Sequence, residues 1–381
     1  MSGGAREPGI MAAAPAVAEL AAEHAAAADS TGRLSPDVVD ALVEAGFARH
    51  FVPESSGGRA GTFSAALEAS AVLGEACVST AWVASLMAGV GRMAAHLPEE
   101  GRARVWEKGP DAFVVGALMA AGTTVPASGG YRLSGRWSYV SGVDFADWAL
   151  VCGRLPGEVG TPAFFAVPRS DFRIEQTWDN VGMRATGSHS LTVDDVFVPA
   201  GQAFPLARLM AGQPDEGLSH CHSVPLKAVN GLTLTGPILG GARGALRTWA
   251  GLLDAKLSGG VSGPVSGAVD PSHYEAILAR ASGETDAAGL LLQRCASVAD
   301  ATDGLSPLET TRAPRDCAVA ADLLAVAVDR LFRSSGSRGQ VSGGRLPRLW
   351  RDVHSAAGHS GLQPASSAHA FVQAYRENAA R

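Results

Sequence analysis

Ten histidines are spread through the 381 residues of the chain, and three stand where proton chemistry could be done. His96 closes a long Ala-rich apolar run just before Pro98. His354 and His359 share the segment LWRDVHSAAGHSG, which reads as the last bundle helix. Imidazole is the side chain best matched to moving a proton near neutral pH. A lone histidine in a packed helix is usually a satisfied core residue. Two histidines from distant segments that face one pocket make a stronger case for catalysis. The run WSYVSG (137–142) adds two aromatics and two serines on a strand-like stretch. One reading is a strand with inward aromatics and a Ser-Gly turn. The other is a wall for a flat cofactor, with a hydroxyl and backbone amides at its polar edge. A flavin needs such a wall, because its ring is apolar on both faces and polar at N5, O4, N3 and O2.

Other motifs carry less. GGARG (240–244) lacks a preceding strand and sits inside a helical period, which fits close helix packing better than a dinucleotide loop. No GxxxxGK[ST] pattern occurs, so the chain shows no evident nicotinamide or ATP site of its own. His220, Cys221 and His222 are adjacent potential metal ligands, but no fourth ligand stands at a usual spacing. A surface loop is the better account of that triplet. No ExxH pair is present, whereas a di-iron bundle needs two.

The elements that must position these residues change character twice. From about residue 12 to 106 the pattern is helical with short breaks. Ser35 followed by Pro36 is a helix start. The run 62–97 is apolar on nearly every face, as a helix buried in a larger assembly would be. From about Asp111 to Pro199 short alternating or apolar runs are punctuated by Gly, Pro and Asp, which predicts a small β-barrel or sandwich of five to eight strands. Helical period returns near residue 231 and continues through three further segments, enough for an antiparallel four-helix bundle. The stretch LSGGVSGPVSGAVDPS between the first two of these helices reads as a mobile loop. The expected fold class is therefore mostly α with a central β-domain: an N-terminal helical domain over 1–110, a β-barrel over 111–225 and a C-terminal four-helix bundle over 226–381.

Composition narrows the function further. With 46% hydrophobic residues the chain can bury a large core. A net charge of -6 argues against a nucleic-acid partner, which needs a concentrated basic surface. Five scattered cysteines without a CxxC fit buried thiols in a reducing cytosol. The Ala-rich N-terminus carries Glu19, Glu23 and His24, unlike a signal peptide. No apolar stretch is long enough for a membrane span. These features together predict a cytoplasmic protein.

Taken together, five segments resemble the acyl-CoA dehydrogenase fold, and more narrowly its oxygenase branch. They are STAWVASL (79–86), GGYRLSGRWSYVSGVDFADW (129–148), WDNVGMRATGSHSLTVDDVFVP (178–199), GGARGAL (240–246) and LPRLWRDVHSAAGH (346–359). That branch holds the oxygenase components of two-component flavin-dependent monooxygenases, similar to p-hydroxyphenylacetate 3-hydroxylase and to tailoring enzymes of secondary metabolism. The resemblance implies that Ser141 hydrogen-bonds flavin N5. It implies that Tyr139 and Val140 line the ring, and that the segment from Leu118 to Gly122 runs beside the pyrimidine edge. It also implies that His96 and His359 face the substrate and the flavin C4a region. His359 would be the general base or proton shuttle, and His96 would position the substrate. Asn230 falls where relatives often carry Arg, which suggests a different substrate contact.

The branch is chosen by one departure. Dehydrogenases of the medium-chain type carry a catalytic Glu in a YEGT motif near the end. The matching segment here is HSGL (359–362), without a carboxylate to take a thioester α-proton. The resemblance then implies an enzyme that uses reduced FMN or FAD from a separate reductase. It implies oxygen as co-substrate, a flavin C4a-hydroperoxide, and hydroxylation of an aromatic or polycyclic small molecule by a homotetramer. Amino-sugar N-oxidation and acyl-CoA dehydrogenation remain alternatives.

Overall fold

The computed structural model describes residues 9–157, 160–258, 271–301 and 304–380. The Gly/Ser/Pro stretch expected to be mobile lies mostly outside them. Five helices come first: α1 (Ile10–Thr31), α2 (Pro36–Glu44), α3 (Phe63–Ala76), α4 (Val78–Ala94) and α5 (Glu99–Val105). Seven strands follow: β1 (Val114–Ala127), β2 (Gly130–Val140), β3 (Trp148–Arg154), β4 (Pro162–Pro168), β5 (Arg173–Glu175), β6 (His189–Pro199) and β7 (Ala203–Pro205). Two short helices, α6 (Leu206–Ala211) and α7 (His220–Ser223), lead into the bundle. It comprises α8 (Leu226–Ser258), α9 (Pro271–Asp300), α10 (Pro307–Ser334), the single turn α11 (Gly336–Gly339), α12 (Arg345–Ala357) and α13 (Pro364–Ala379). No helix among the described residues is long and apolar enough to cross a membrane.

The strands form one mixed sheet in the order β5-β6-β2-β1-β3-β4-β7. All neighbours are antiparallel except β1 and β3. The expected central β-domain is this seven-stranded sheet, whose end strands among the described residues, β5 and β7, are three residues each. Pro205 ends β7 and has no N–H for further pairing. The apolar runs of β3 and β4 are explained by burial on both faces. Ala149, Val151, Phe165 and Val167 point into a core shared with the N-terminal helices. Leu150, Cys152, Phe164 and Ala166 point into a second core with Trp106 and Phe204.

Helix α4 borders three cores. Trp82 packs with the bundle, Val83 and Met87 with the sheet, and Val90 and Met93 with the second sheet face. Its all-round apolar sequence is the consequence.

The glycines of GGARG lie in α8, where that helix crosses α3 at very short range. A Cβ on Gly240 would stand 2.1 Å from the Ala71 carbonyl oxygen, and one on Gly244 would stand 2.4 Å from that of Glu75. Only a side chain of hydrogen fits there. Gly251, farther along α8, has nothing within 4 Å of an added methyl. Gly240→Ala should therefore cost about 1–3 kcal/mol by forcing the helices apart. Gly251→Ala should stabilise by about 0.5–1 kcal/mol through helix propensity. Urea unfolding of the two variants tests the pair, and similar effects in both would refute the close-contact account.

Candidate active site

Strand β2 ends in an irregularity. Its pairing with β6 shifts register between Trp137 and Val140, and Tyr139 is held at φ 65°. A left-handed backbone at a bulky residue costs about 1–3 kcal/mol and persists only where its surroundings enforce it. The kink turns the Tyr139 ring outward, leaving it 76% exposed. Trp178 meets that ring edge-to-face, centroids 6.2 Å apart. Leu118 and Met119 are exposed on the neighbouring strand. Trp178 is itself fixed: its backbone N–H donates to His189 Nδ1 at 3.1 Å and its indole N–H donates to the Met183 carbonyl at 3.0 Å. An outward aromatic and apolar surface of this kind suits the face of a flat ring.

Ser141 lies at the inner edge of that surface, half-buried. Its hydroxyl accepts from Trp82 Nε1 at 3.2 Å and stands 2.7 Å from Ser188 Oγ. Ser188 Oγ is 2.6 Å from Thr186 Oγ1, which donates to the Met183 carbonyl at 2.9 Å. Ser188 and Thr186 are both buried. The loop that carries Thr186 is pinned from two sides. The Gly142 N–H donates to the Thr186 carbonyl at 2.8 Å, and the Met183 N–H donates to Asp352 Oδ1 of α12 at 2.6 Å.

His359 comes to the same place from the other end of the chain. It does not belong to the last bundle helix, as the sequence suggested, because α12 stops at Ala357 with Gly358 as its cap. His359 instead caps the 3-10 turn at Ser360–Leu362, its Nδ1 accepting the Gly361 N–H at 3.0 Å. Its neutral ring therefore carries the proton on Nε2. Its ring centroid lies 5.7 Å from that of Trp82. Desolvation of the ring lowers its pKa from the ordinary histidine value, although the residue as a whole is exposed. Trp82 thus touches both Ser141 and His359.

The remaining sequence candidates are not all gathered here. His96 follows the end of α4 and is separated from Trp82 by about 20 Å of helix at ~1.5 Å per residue. It is 0% exposed, faces Phe204 with centroids 6.0 Å apart, and its ring nitrogens lack partners among the described residues. Burial, with Arg92 nearby, pushes its pKa down to about 3, so it is neutral. Val140 is buried in the sheet core, which leaves only its backbone to offer a ligand. Gly122 is also buried, and a methyl there would strike the Trp137 ring at 2.5 Å; its close neighbour is the core. Asn230 is half-buried in the first turns of α8. His354 Nδ1 donates to the Trp350 carbonyl of its own helix at 2.8 Å, and its ring packs on the Trp350 ring.

The His220–Cys221–His222 triplet forms α7 and not a surface loop, with Cys221 and His222 buried. Each histidine has a ring nitrogen at a carbonyl oxygen: His220 at Ala299 (2.9 Å) and His222 at Phe51 (2.8 Å). Backbone contacts thus already occupy those nitrogens.

Trp82, Thr186, Ser188 and Trp178 lacked individual roles in the sequence, although each lies in a quoted segment. The one available signal was the concentration of hydroxyls in ATGSHS (185–190).

Asp352 allows a test of the loop anchor. Burial pushes its carboxyl up to about 7, from an ordinary 3.8, against the lowering effect of the Met183 N–H. The folded protein then holds this proton more tightly than the unfolded chain does. The stability it contributes is full below about pH 4 and is lost as pH rises through about 7. Between pH 5 and 8 the wild type should lose roughly 2–3 kcal/mol that Asp352→Asn retains. Parallel denaturation curves across that range for both proteins would rule this out.

Two family models match the chain: the acyl-CoA dehydrogenase N-terminal domain over residues 11–108 and its C-terminal domain over residues 232–364. The FADH(2)-dependent resorcinol hydroxylase, oxygenase component, of Rhizobium sp. (strain MTP-10005) is 30% identical, covering 90% of this chain and 88% of that protein. Among solved structures, the 3-HSA hydroxylase from Rhodococcus sp. RHA1 superposes with a TM-score of 0.90 at 26% identity, covering 97% of both chains. XiaF from Streptomyces sp., solved in complex with FADH2 and glycerol, gives 0.88 at 27% identity, covering 97% of this chain and 95% of that one.

Proposed function

Because this chain belongs to the acyl-CoA dehydrogenase family, in its flavin-dependent monooxygenase branch, we propose that the surface around Tyr139, Ser141 and Trp178 holds a reduced flavin beside an aromatic substrate. The observation that carries this reading is the Trp82 side chain, which donates to Ser141 at 3.2 Å while its ring lies 5.7 Å from the His359 ring. A hydroxyl suited to a ring nitrogen and an imidazole suited to proton handling thus share one neighbour.

The bound flavin supplies oxygen activation; the chain supplies position, enclosure and proton control. Tyr139, Leu118 and Met119 offer the apolar contact. Ser141 offers its hydroxyl, and Val140 its backbone. His359, with its proton on Nε2, donates a hydrogen bond to oxygen on the substrate or the oxidant. Taking a second proton at Nδ1 means giving up the Gly361 N–H, so the 3-10 turn biases the ring toward neutrality. The apolar flanks of α4 keep the inner side dry, which limits unproductive loss of peroxide. Asn230 is a substrate contact only for a ligand reaching the start of α8. His96 meets only one that extends most of the length of α4.

The family pattern fits a homotetramer that draws reduced FMN or FAD from a separate reductase in the cytosol. The segment HSGL in place of a Glu-bearing motif disfavours thioester dehydrogenation, since no carboxylate follows α12 there.

His359→Ala should lower hydroxylation by about 10²–10⁴-fold, the usual worth of a positioned proton-transfer group, with reduced-flavin affinity little changed. Full turnover in that variant removes His359 from the chemistry. For the class itself, reduced flavin bound to the protein is mixed with oxygen in a stopped-flow spectrometer. A long-lived absorbance distinct from oxidised flavin is expected. Immediate return of oxidised flavin with release of free peroxide counts against a monooxygenase.

A further inference from the structure

Three hydroxyls in a row fix where each proton must point. Thr186 Oγ1 is 2.9 Å from the Met183 carbonyl. A carbonyl only accepts, so the proton between them belongs to Thr186. Ser188 Oγ is 2.6 Å from Thr186 Oγ1, and Thr186 has no second proton to give. Ser188 therefore donates to Thr186. The 2.7 Å contact between Ser141 and Ser188 must then be bridged by the proton of Ser141. From its other side Ser141 receives the Trp82 N–H at 3.2 Å. Its only proton is committed inward, and what remains toward the open side is a lone pair.

We propose that the Thr186–Ser188–Ser141 chain, anchored on the Met183 carbonyl, makes the site select reduced over oxidised flavin by presenting an acceptor, and not a donor, to flavin N5. Reduced flavin carries a hydrogen on N5 and donates there. Oxidised flavin has a bare N5 that needs a donor. The proposal rests on the flavin reading above and assigns Ser188 and Thr186 as positioning residues acting through Ser141. Both are buried, so bulk water does not offer the chain an alternative acceptor. Its far end is also fixed, because the Met183 carbonyl lies in the loop tied to Asp352. The direction of one surface hydroxyl is thus set by the sequence of partners behind it.

Thr186→Val is the sharpest variant. Without the Thr186 oxygen, Ser188 turns its proton to Ser141, and Ser141 then points its own proton at the open side. Ser188→Ala releases the Ser141 proton without reversing it. Thr186→Ser keeps the hydroxyl and should keep the preference. The readout is the ratio of dissociation constants for oxidised and reduced FAD and FMN, measured anaerobically by equilibrium dialysis, independent of turnover. The wild type should bind the reduced form more tightly. That ratio should fall about tenfold or more in Thr186→Val, the worth of one hydrogen bond gained or lost. It should fall less in Ser188→Ala and stay unchanged in Thr186→Ser. Equal affinity of the wild type for both redox forms, or an unaltered ratio in both Thr186→Val and Ser188→Ala, overturns the proposal while leaving the flavin reading intact. Binding of neither form by the wild type overturns both.

Discussion

Helix α4 is the member on which everything else leans. It contributes Trp82 to the bundle core, Val83 and Met87 to one sheet face, and Val90 and Met93 to the other side. A helix in that position has no polar face to spare, which is why Ser79, Thr80 and Ser85 are buried along with its alanines. Ser85 meets its need by donating to the Thr233 carbonyl of α8 at 2.7 Å. Arg92, also buried, donates to the Cys221 and Val224 carbonyls. Trp82 therefore does not hold its indole in place alone; the whole helix is clamped before the site is formed.

The site combines strain with rigidity. Tyr139 occupies a backbone region that favours glycine, and the hydroxyls behind it are locked in series. Both features order groups before a ligand arrives, and ordering in advance is how a site avoids losing binding energy to immobilisation. The cost falls on folding stability, to which the large shared cores contribute. Asp352 shows the same compromise: a carboxyl buried almost completely is retained because its oxygen holds the Met183 N–H.

Much of the architecture was legible in the sequence because it depends on local period. Apolar spacing separates the helical segments from the strands, and burial on both faces explains the continuous runs of β3 and β4. The strand order within the sheet was not legible, because it is a matter of long-range pairing. The site divides along the same line. Ser141 and His359 came from resemblance, and each alone is an ordinary polar residue. The partner of Ser141 is Ser188, 47 residues away, and no spacing rule links them. His96 looked equivalent to His359 as a titratable side chain at a helix end. What separates them is burial among Phe204 and Leu97, a product of tertiary packing. Val140 and Gly122 were candidate positions themselves, but strand alternation buries the one in the sheet core and a close aromatic ring walls off the other.

Strands β3 and β4 are covered on both sides and paired to each other through all seven of their residues. Reaching their amides with solvent requires removing the N-terminal helices from one face and α5 and α6 from the other. Hydrogen exchange there should proceed only through global opening, making these two strands the slowest-exchanging reference against which looser parts of the molecule are compared.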